Sequence, residues 1–171
     1  MYIDTTAALA DRKSTSKSLP RVRLGVEADL PQLLEMGREL HKENGLLPLS
    51  EAKIERMARM ALRQEGGIIG VIGGIGQVQA MIHLVIGSFW YTDEFHLEEL
   101  YAYCRPEYRK SENSKSLIEF AKLCAIRQGK PLLIGVISND RTEAKVRLYE
   151  RRLGKKAGAW FLYGCKTGQN H

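Results

Sequence analysis

A chain of 171 residues, 44% apolar and 27% charged, has the size of one ordinary domain and the composition of a globular protein. Its formal net charge of +6 favours an acidic partner, a role that a phosphorylated cofactor or a nucleic acid would fill. No run of eighteen apolar residues argues for a membrane span, and three widely spaced cysteines (Cys104, Cys124, Cys165) with four scattered histidines argue against a disulfide framework or a metal centre.

Residues 1–20 are polar and without periodicity, which reads as a flexible arm with a short helical turn near Thr6–Asp11 and no secretory leader. Residues 21–171 read as a single domain. Val22, Leu24 and Val26 alternate as in a strand. Asp29 then stands where a helix cap belongs, with Pro31 in the first turn and Leu30, Leu33, Leu34, Gly37 and Leu40 on one face. Asn44, Gly45 and Pro48 turn the chain, and Ser50 caps a second helix with an apolar stripe of Ile54, Met57, Ala58, Ala61 and Leu62. Strands at 67–72 and 77–86 flank the turn Gly73-Gly74-Ile75-Gly76, a hairpin rather than a dinucleotide-binding glycine pattern.

An aromatic loop at 89–96 leads to a strand at Leu97–Cys104, which Pro106 ends. A helix follows from about Ser114 to Gln128, with Leu117, Phe120, Ala121 and Cys124 in register, and Gly129-Lys130-Pro131 breaks it. Leu132–Ile137 is a near-continuous apolar run, the mark of a buried strand. A last helix spans about Arg141–Leu153, and Ala157–Tyr163 reads as a closing strand. The order predicts an α/β domain with a mixed central sheet of about six or seven strands and helices on both faces.

The turn between the Cys104 strand and the next helix offers backbone N–H groups with Arg109, Lys110 and Lys115 at the positive helix end, which suits a diphosphate. An ordinary turn with solvated basic side chains reads equally well. Cys104, Pro106, Tyr108 and Arg109, followed by Leu117, resemble the signature of the GNAT superfamily of N-acetyltransferases, roughly Val-x-Pro-x-Tyr-Arg-x-x-Gly-x-Gly-x-x-Leu. Glu112 and Ser114 occupy the two glycine positions. A second segment, with Asn139, Leu148, Tyr149, Glu150 and Gly154, resembles the family's fifth strand and following helix. The style of both segments is similar to phage- or prophage-encoded members.

The resemblance implies a GNAT-like acyltransferase that moves an acetyl group from acetyl-coenzyme A, its co-substrate, to an amine. It implies coenzyme contacts at Tyr103, Cys104, Arg109, Lys110, Ser111, Glu112, Asn113, Ser114, Lys115 and Asn139. By the same likeness Glu98, eleven residues before Arg109, is the general base, with Glu99 on the opposite strand face as second choice, and Tyr149 protonates the departing thiolate. Small molecule, peptide and protein amines all fit as acceptor. The basic cluster Arg147, Arg151, Arg152, Lys155, Lys156 reads as a solvated helix end before a nucleic-acid surface. No membrane or metal partner is expected, the oligomeric state stays open, and the cysteine pattern suits a reducing cytoplasm. Because the family glycines are replaced, a non-catalytic module of the same fold, binding nucleic acid or protein, is the alternative.

Overall fold

The short, glycine-punctuated apolar runs at the centre of the chain form the middle of one sheet. The computed structural model describes residues 21–138 and 142–161, so the expected arm at 1–20 and Asn139 lie outside the described residues. Five strands stand in the order of the chain: β1 (Arg23–Leu24), β2 (Gly67–Ile72), β3 (Ala80–Ser88), β4 (Phe95–Cys104) and β5 (Leu132–Leu133). The first four are antiparallel neighbours, and β5 adds in parallel to β4. The helices are α1 (Leu30–Asn44), α2 (Glu51–Leu62), α3 (Asn113–Gln128) and α4 (Thr142–Leu153).

Alternation along the strands sends side chains to two cores, one on each face of the sheet. Ile69, Val71, Met81 and Tyr103 pack with Leu33 and Met36 of α1 and with Ala58 and Ala61 of α2. Ile68, Ile82, Leu84 and Leu97 pack with Leu117, Ala121 and Cys124 of α3. Helices therefore cover both faces, and the mixed α/β architecture is the one the sequence predicts. α4 contributes no buried residue to either core.

Several local expectations change. Five strands are found among the described residues, fewer than predicted, and residues 157–161 are exposed and outside any strand, with the rest of that segment outside the described residues. Residues 77–79 belong to the turn, so β3 begins at Ala80. Ser50 does cap α2, its hydroxyl accepting from Lys53 N–H at 3.4 Å. Asp29 does not cap α1 through its side chain. Its fully buried carboxylate takes two hydrogen bonds from Arg23 (2.7 and 2.8 Å) and one from Val26 N–H (2.9 Å). Burial opposes ionisation there, but those donors outweigh it and hold the carboxyl below its ordinary value.

The feature that shapes the site is a bulge in β4. His83 pairs with Tyr101 while Leu84 pairs with Glu99, so Leu100 is an extra residue opposite no partner. A bulge bends its strand and increases local twist. Immediately before it β5 ends: β4 and β5 pair only at Leu97–Leu132 and Glu98–Leu133. The predicted strand at 132–137 is thus two residues long, because β4 turns away and residues 134–138 leave the ladder. The two chains open into a wedge.

Candidate active site

Two cavities occupy this wedge. One, of about 500 Å³, lies between the end of α1, the loop before α2, residues 98–102 of β4 and the chain at 133–137. The other, of about 390 Å³, runs along Tyr103 and Cys104 toward Arg109 and Ser114 at the start of α3. Asn44, Ala102, Lys145 and Tyr149 line both, so the cavities meet at α4. Ser138 reaches across from the diverging chain and donates to Asn44 Oδ1 at 3.3 Å.

Glu98, Glu99 and Tyr149 all line the larger cavity, so the structure brings the three expected catalytic residues to one chamber. Neighbours on a strand point to opposite faces, and the open wedge lets both carboxylates reach the same space. Glu99 accepts the Tyr149 hydroxyl at 3.2 Å (Oε2) and 3.4 Å (Oε1). Burial pushes the Glu99 carboxyl up to about 7, against the opposing pull of the Tyr149 hydrogen bond and the Lys145 charge. The same burial, with the Glu99 charge added, raises the Tyr149 phenol well above its usual value and keeps it protonated. Glu98 is half-exposed and stands 3.6 Å from the buried His96. Below them His83 and Tyr101 form an edge-to-face pair joined by a 3.2 Å hydrogen bond. Burial drives the His83 imidazole down to about 4, so it is neutral near neutral pH.

The expected phosphate loop is less free than the sequence implies. Arg109 pairs with Glu43 of α1 at 2.5 Å, donates to Cys104 O at 3.0 Å, and lies 5.5 Å from the Tyr103 ring centre. Glu43 also accepts the Tyr103 hydroxyl at 3.1 Å. Lys115 pairs with Glu112 at 2.5 Å, which neutralises the acid that replaces the first family glycine. Ser111 Oγ donates to Tyr108 O and receives Asn113 N–H, building the turn into α3. Asn113 is buried against Gln79, and Lys110 is exposed. Of the expected coenzyme contacts, Tyr103, Cys104, Arg109 and Ser114 line the smaller cavity, whereas Lys110, Ser111, Glu112, Asn113 and Lys115 do not.

The family likeness also implies that the loop Lys42–Leu49, which holds Asn44, shapes the acceptor pocket, and Asn44, Gly45 and Leu49 do line the larger cavity. Sequence reading missed Lys145 and the pairing of Glu43 with Arg109. The signal for Glu43 was present: Glu35, Glu39 and Glu43 recur every fourth residue of α1, a single acidic stripe. That stripe meets Arg105, 2.6 Å from Glu35 and 3.5 Å from Glu39, as well as Arg109. Lys145 sits one helical turn before Tyr149, the spacing that puts both on one face of α4.

No family model matches the sequence, and no curated protein matches it. The fold does have counterparts among solved structures. A predicted acetyltransferase from Clostridium acetobutylicum, solved with acetyl-CoA, is similar with a TM-score of 0.67 at 13% identity, over 84% of this chain and 95% of that one. AAC(6')-Iy, in complex with the bisubstrate analogue CoA-S-monomethyl-acetylneamine, gives a TM-score of 0.67 at 10% identity, over 86% of this chain and 98% of that one. A GNAT family acetyltransferase from Staphylococcus aureus gives 0.59 at 12% identity, over 86% of this chain and 98% of that one. The chain therefore has the fold of GNAT acetyltransferases. Among the described residues no helix is long and apolar enough to cross a membrane.

Proposed function

We propose that the protein is an N-acetyltransferase that takes its acetyl group from acetyl-coenzyme A and gives it to an amine. The observation that carries the reading is the pair of cavities meeting at Tyr149, with two carboxylates on the wall of one. The smaller cavity suits the coenzyme: its walls at Ala102, Leu117, Ile118 and Leu148 are apolar, as a pantetheine arm requires, and it ends at Arg109 and Ser114. Lys115 offsets the charge of Glu112, so the start of α3 keeps its affinity for anions. The larger cavity then receives the amine.

The proton inventory favours Glu99 over Glu98 as the base. A group that titrates near 7 is half-ionised at neutral pH and returns its proton readily. An arriving ammonium gives its proton to Glu99, and the free amine forms the new C–N bond as the C–S bond breaks. The Tyr149 hydroxyl passes its proton to the departing sulfur, and the Glu99 carboxyl refills the phenol through the hydrogen bond they share. Nitrogen gives up two protons between ammonium and amide: one ends on sulfur by way of Glu99 and Tyr149, the other leaves to water, and both side chains return to their starting state. Glu98, nearer the solvent, draws the ammonium in. The bulge at Leu100 bends β4 where a backbone N–H is needed to meet the charge that builds on the carbonyl oxygen.

A second reading, a non-catalytic module on this fold, is favoured by one observation: Glu43 already holds Arg109. Thermal melting with acetyl-coenzyme A separates the two. A ligand that binds only the native state raises the midpoint, by an amount that grows with its concentration. The transferase reading predicts that rise together with thiol release on adding amines; a flat midpoint at millimolar ligand supports the module.

A further inference from the structure

Resting on the acetyl-transfer reading, the geometry points to the acceptor as a single primary amine carried on an uncharged, apolar body, such as an aryl- or alkylamine. The larger cavity is the evidence. Its walls are mostly aliphatic and aromatic: Leu40, Leu49, Leu133 and Val136 surround it, Tyr101 forms part of its floor, and Trp160 stands at its rim. Acidic side chains appear only at one place, where Glu98 and Glu99 follow each other on β4. Glu99 is further committed to the Tyr149 hydroxyl. The one lysine of the wall, Lys145, brings a positive charge of its own.

These facts fix how much cationic charge the chamber can hold. A buried cation needs a partner, and an ammonium left among aliphatic walls is costly. One ammonium meets Glu98 and Glu99. Further ammonium groups on the same molecule would meet no further carboxylate: they would face Leu40, Leu49 and Val136, the uncharged amide of Asn44, the His41 ring, or the charge of Lys145. A polycationic sugar is disfavoured for that reason, although a structure of the same fold holds an acetylneamine moiety in its bisubstrate analogue. An apolar body, by contrast, gains from leaving water along those walls.

The test uses the full chain with acetyl-coenzyme A and two probes, 2-phenylethylamine and neamine, a sugar with several ammonium groups. Release of the coenzyme thiol is followed for each. The inference expects kcat/KM for 2-phenylethylamine to exceed that for neamine by about tenfold or more. It also expects Leu49→Asp to raise the KM for 2-phenylethylamine about tenfold while leaving the Kd for acetyl-coenzyme A unchanged, because Leu49 lies on the loop before α2 and outside the coenzyme cavity. Equal or faster turnover of neamine by the parent protein overturns the inference and leaves acetyl transfer standing. Coenzyme binding with no turnover of 2-phenylethylamine also overturns it. Absence of any acetyl-coenzyme A binding overturns the transferase reading, and this inference falls with it.

Discussion

The contact between Tyr149 and Glu99 concentrates the chemistry proposed for this site in one hydrogen bond, and its pH behaviour can be worked out. A base that titrates at about 7 is ionised only above that point, so turnover should rise as pH climbs through about 7. Glu99→Gln should remove that rise and lower the rate about 100-fold or more, whereas Tyr149→Phe should lower the rate and keep the rise. A pH–rate profile of the three proteins decides it. Stability carries the opposite sign. The folded protein holds the Glu99 proton to about 7, but the unfolded chain loses it near the ordinary 4.5. Between those values the native state binds more protons, so this group's contribution to stability falls as pH rises. Relative to the parent, Glu99→Gln should therefore gain stability between about pH 5 and pH 8, as urea unfolding at each pH would read. Arg109 is the residue to alter at the other end of the site. Arg109→Ala should raise the Kd for coenzyme A several-fold in low salt, with a smaller effect at about 1 M salt, where the Debye length falls to about 3 Å. Unchanged affinity in low salt, by calorimetry, would remove Arg109 from the phosphate contacts and leave it as Glu43's partner alone.

Among the elements, β2 meets α3 at Gly70, against Phe120. A Cβ built there would stand 2.5 Å from the Phe120 ring. Gly70→Ala should cost about 1–3 kcal/mol by overpacking, and less in a Phe120→Leu background, since the two changes share one contact. Chemical denaturation of the single and double variants measures both numbers. Nothing in the sequence marks Gly70 as different from the turn glycines nearby, because its neighbour lies fifty residues away on α3. Local elements were legible where the signal is local: the Ser50 cap, the apolar stripe of α1, and the glycine turn between β2 and β3. Asp29 looked like a cap because its sequence position is right for one, yet an arginine six residues earlier claims its carboxylate. The apolar run at 132–137 looked like a full strand because hydrophobicity cannot tell a sheet interior from a cavity wall. The candidate catalytic residues were named from family likeness; which of the two glutamates meets Tyr149 depends on a bulge that no periodicity reveals.

For the molecule as a whole, cohesion is unevenly distributed. β2 and β3 are covered on both faces, whereas α4, which carries Tyr149 and Lys145, puts no residue into either core and ties to β4 through the Tyr149–Glu99 hydrogen bond and to α3 through the Arg152–Glu119 ion pair at 3.7 Å. Segments with few buried contacts open at low free energy. Amides of α4 should exchange with deuterium well before those of β2 and β3. Saturating acetyl-coenzyme A should slow α4 by about tenfold or more, since a ligand lodged between α4 and β4 must be released before the helix can lift. Equal slowing of every element, read by mass spectrometry, would place the ligand elsewhere.

Leu100 carries a consequence best put in terms of phase. Before the bulge, Leu97 and Glu99 face the α3 and α4 side; after it, Ala102 and Cys104 do, while Tyr101 and Tyr103 pack toward α1. Strike Leu100 from the chain and the alternation becomes regular from 97 to 104, with every core side chain still on its own side. Leu100 is thus a surplus letter in an otherwise correctly spelled strand, itself 41% exposed. A chain lacking it should fold with its stability kept or raised, because the deletion removes an irregularity and uncovers nothing. Its β4 would run straight, the wedge would narrow, and the acetyl transfer proposed for this site would be lost. One residue can then be read as kept for reactivity and not for folding, and the deletion variant, assayed for melting and for thiol release side by side, would set the two apart.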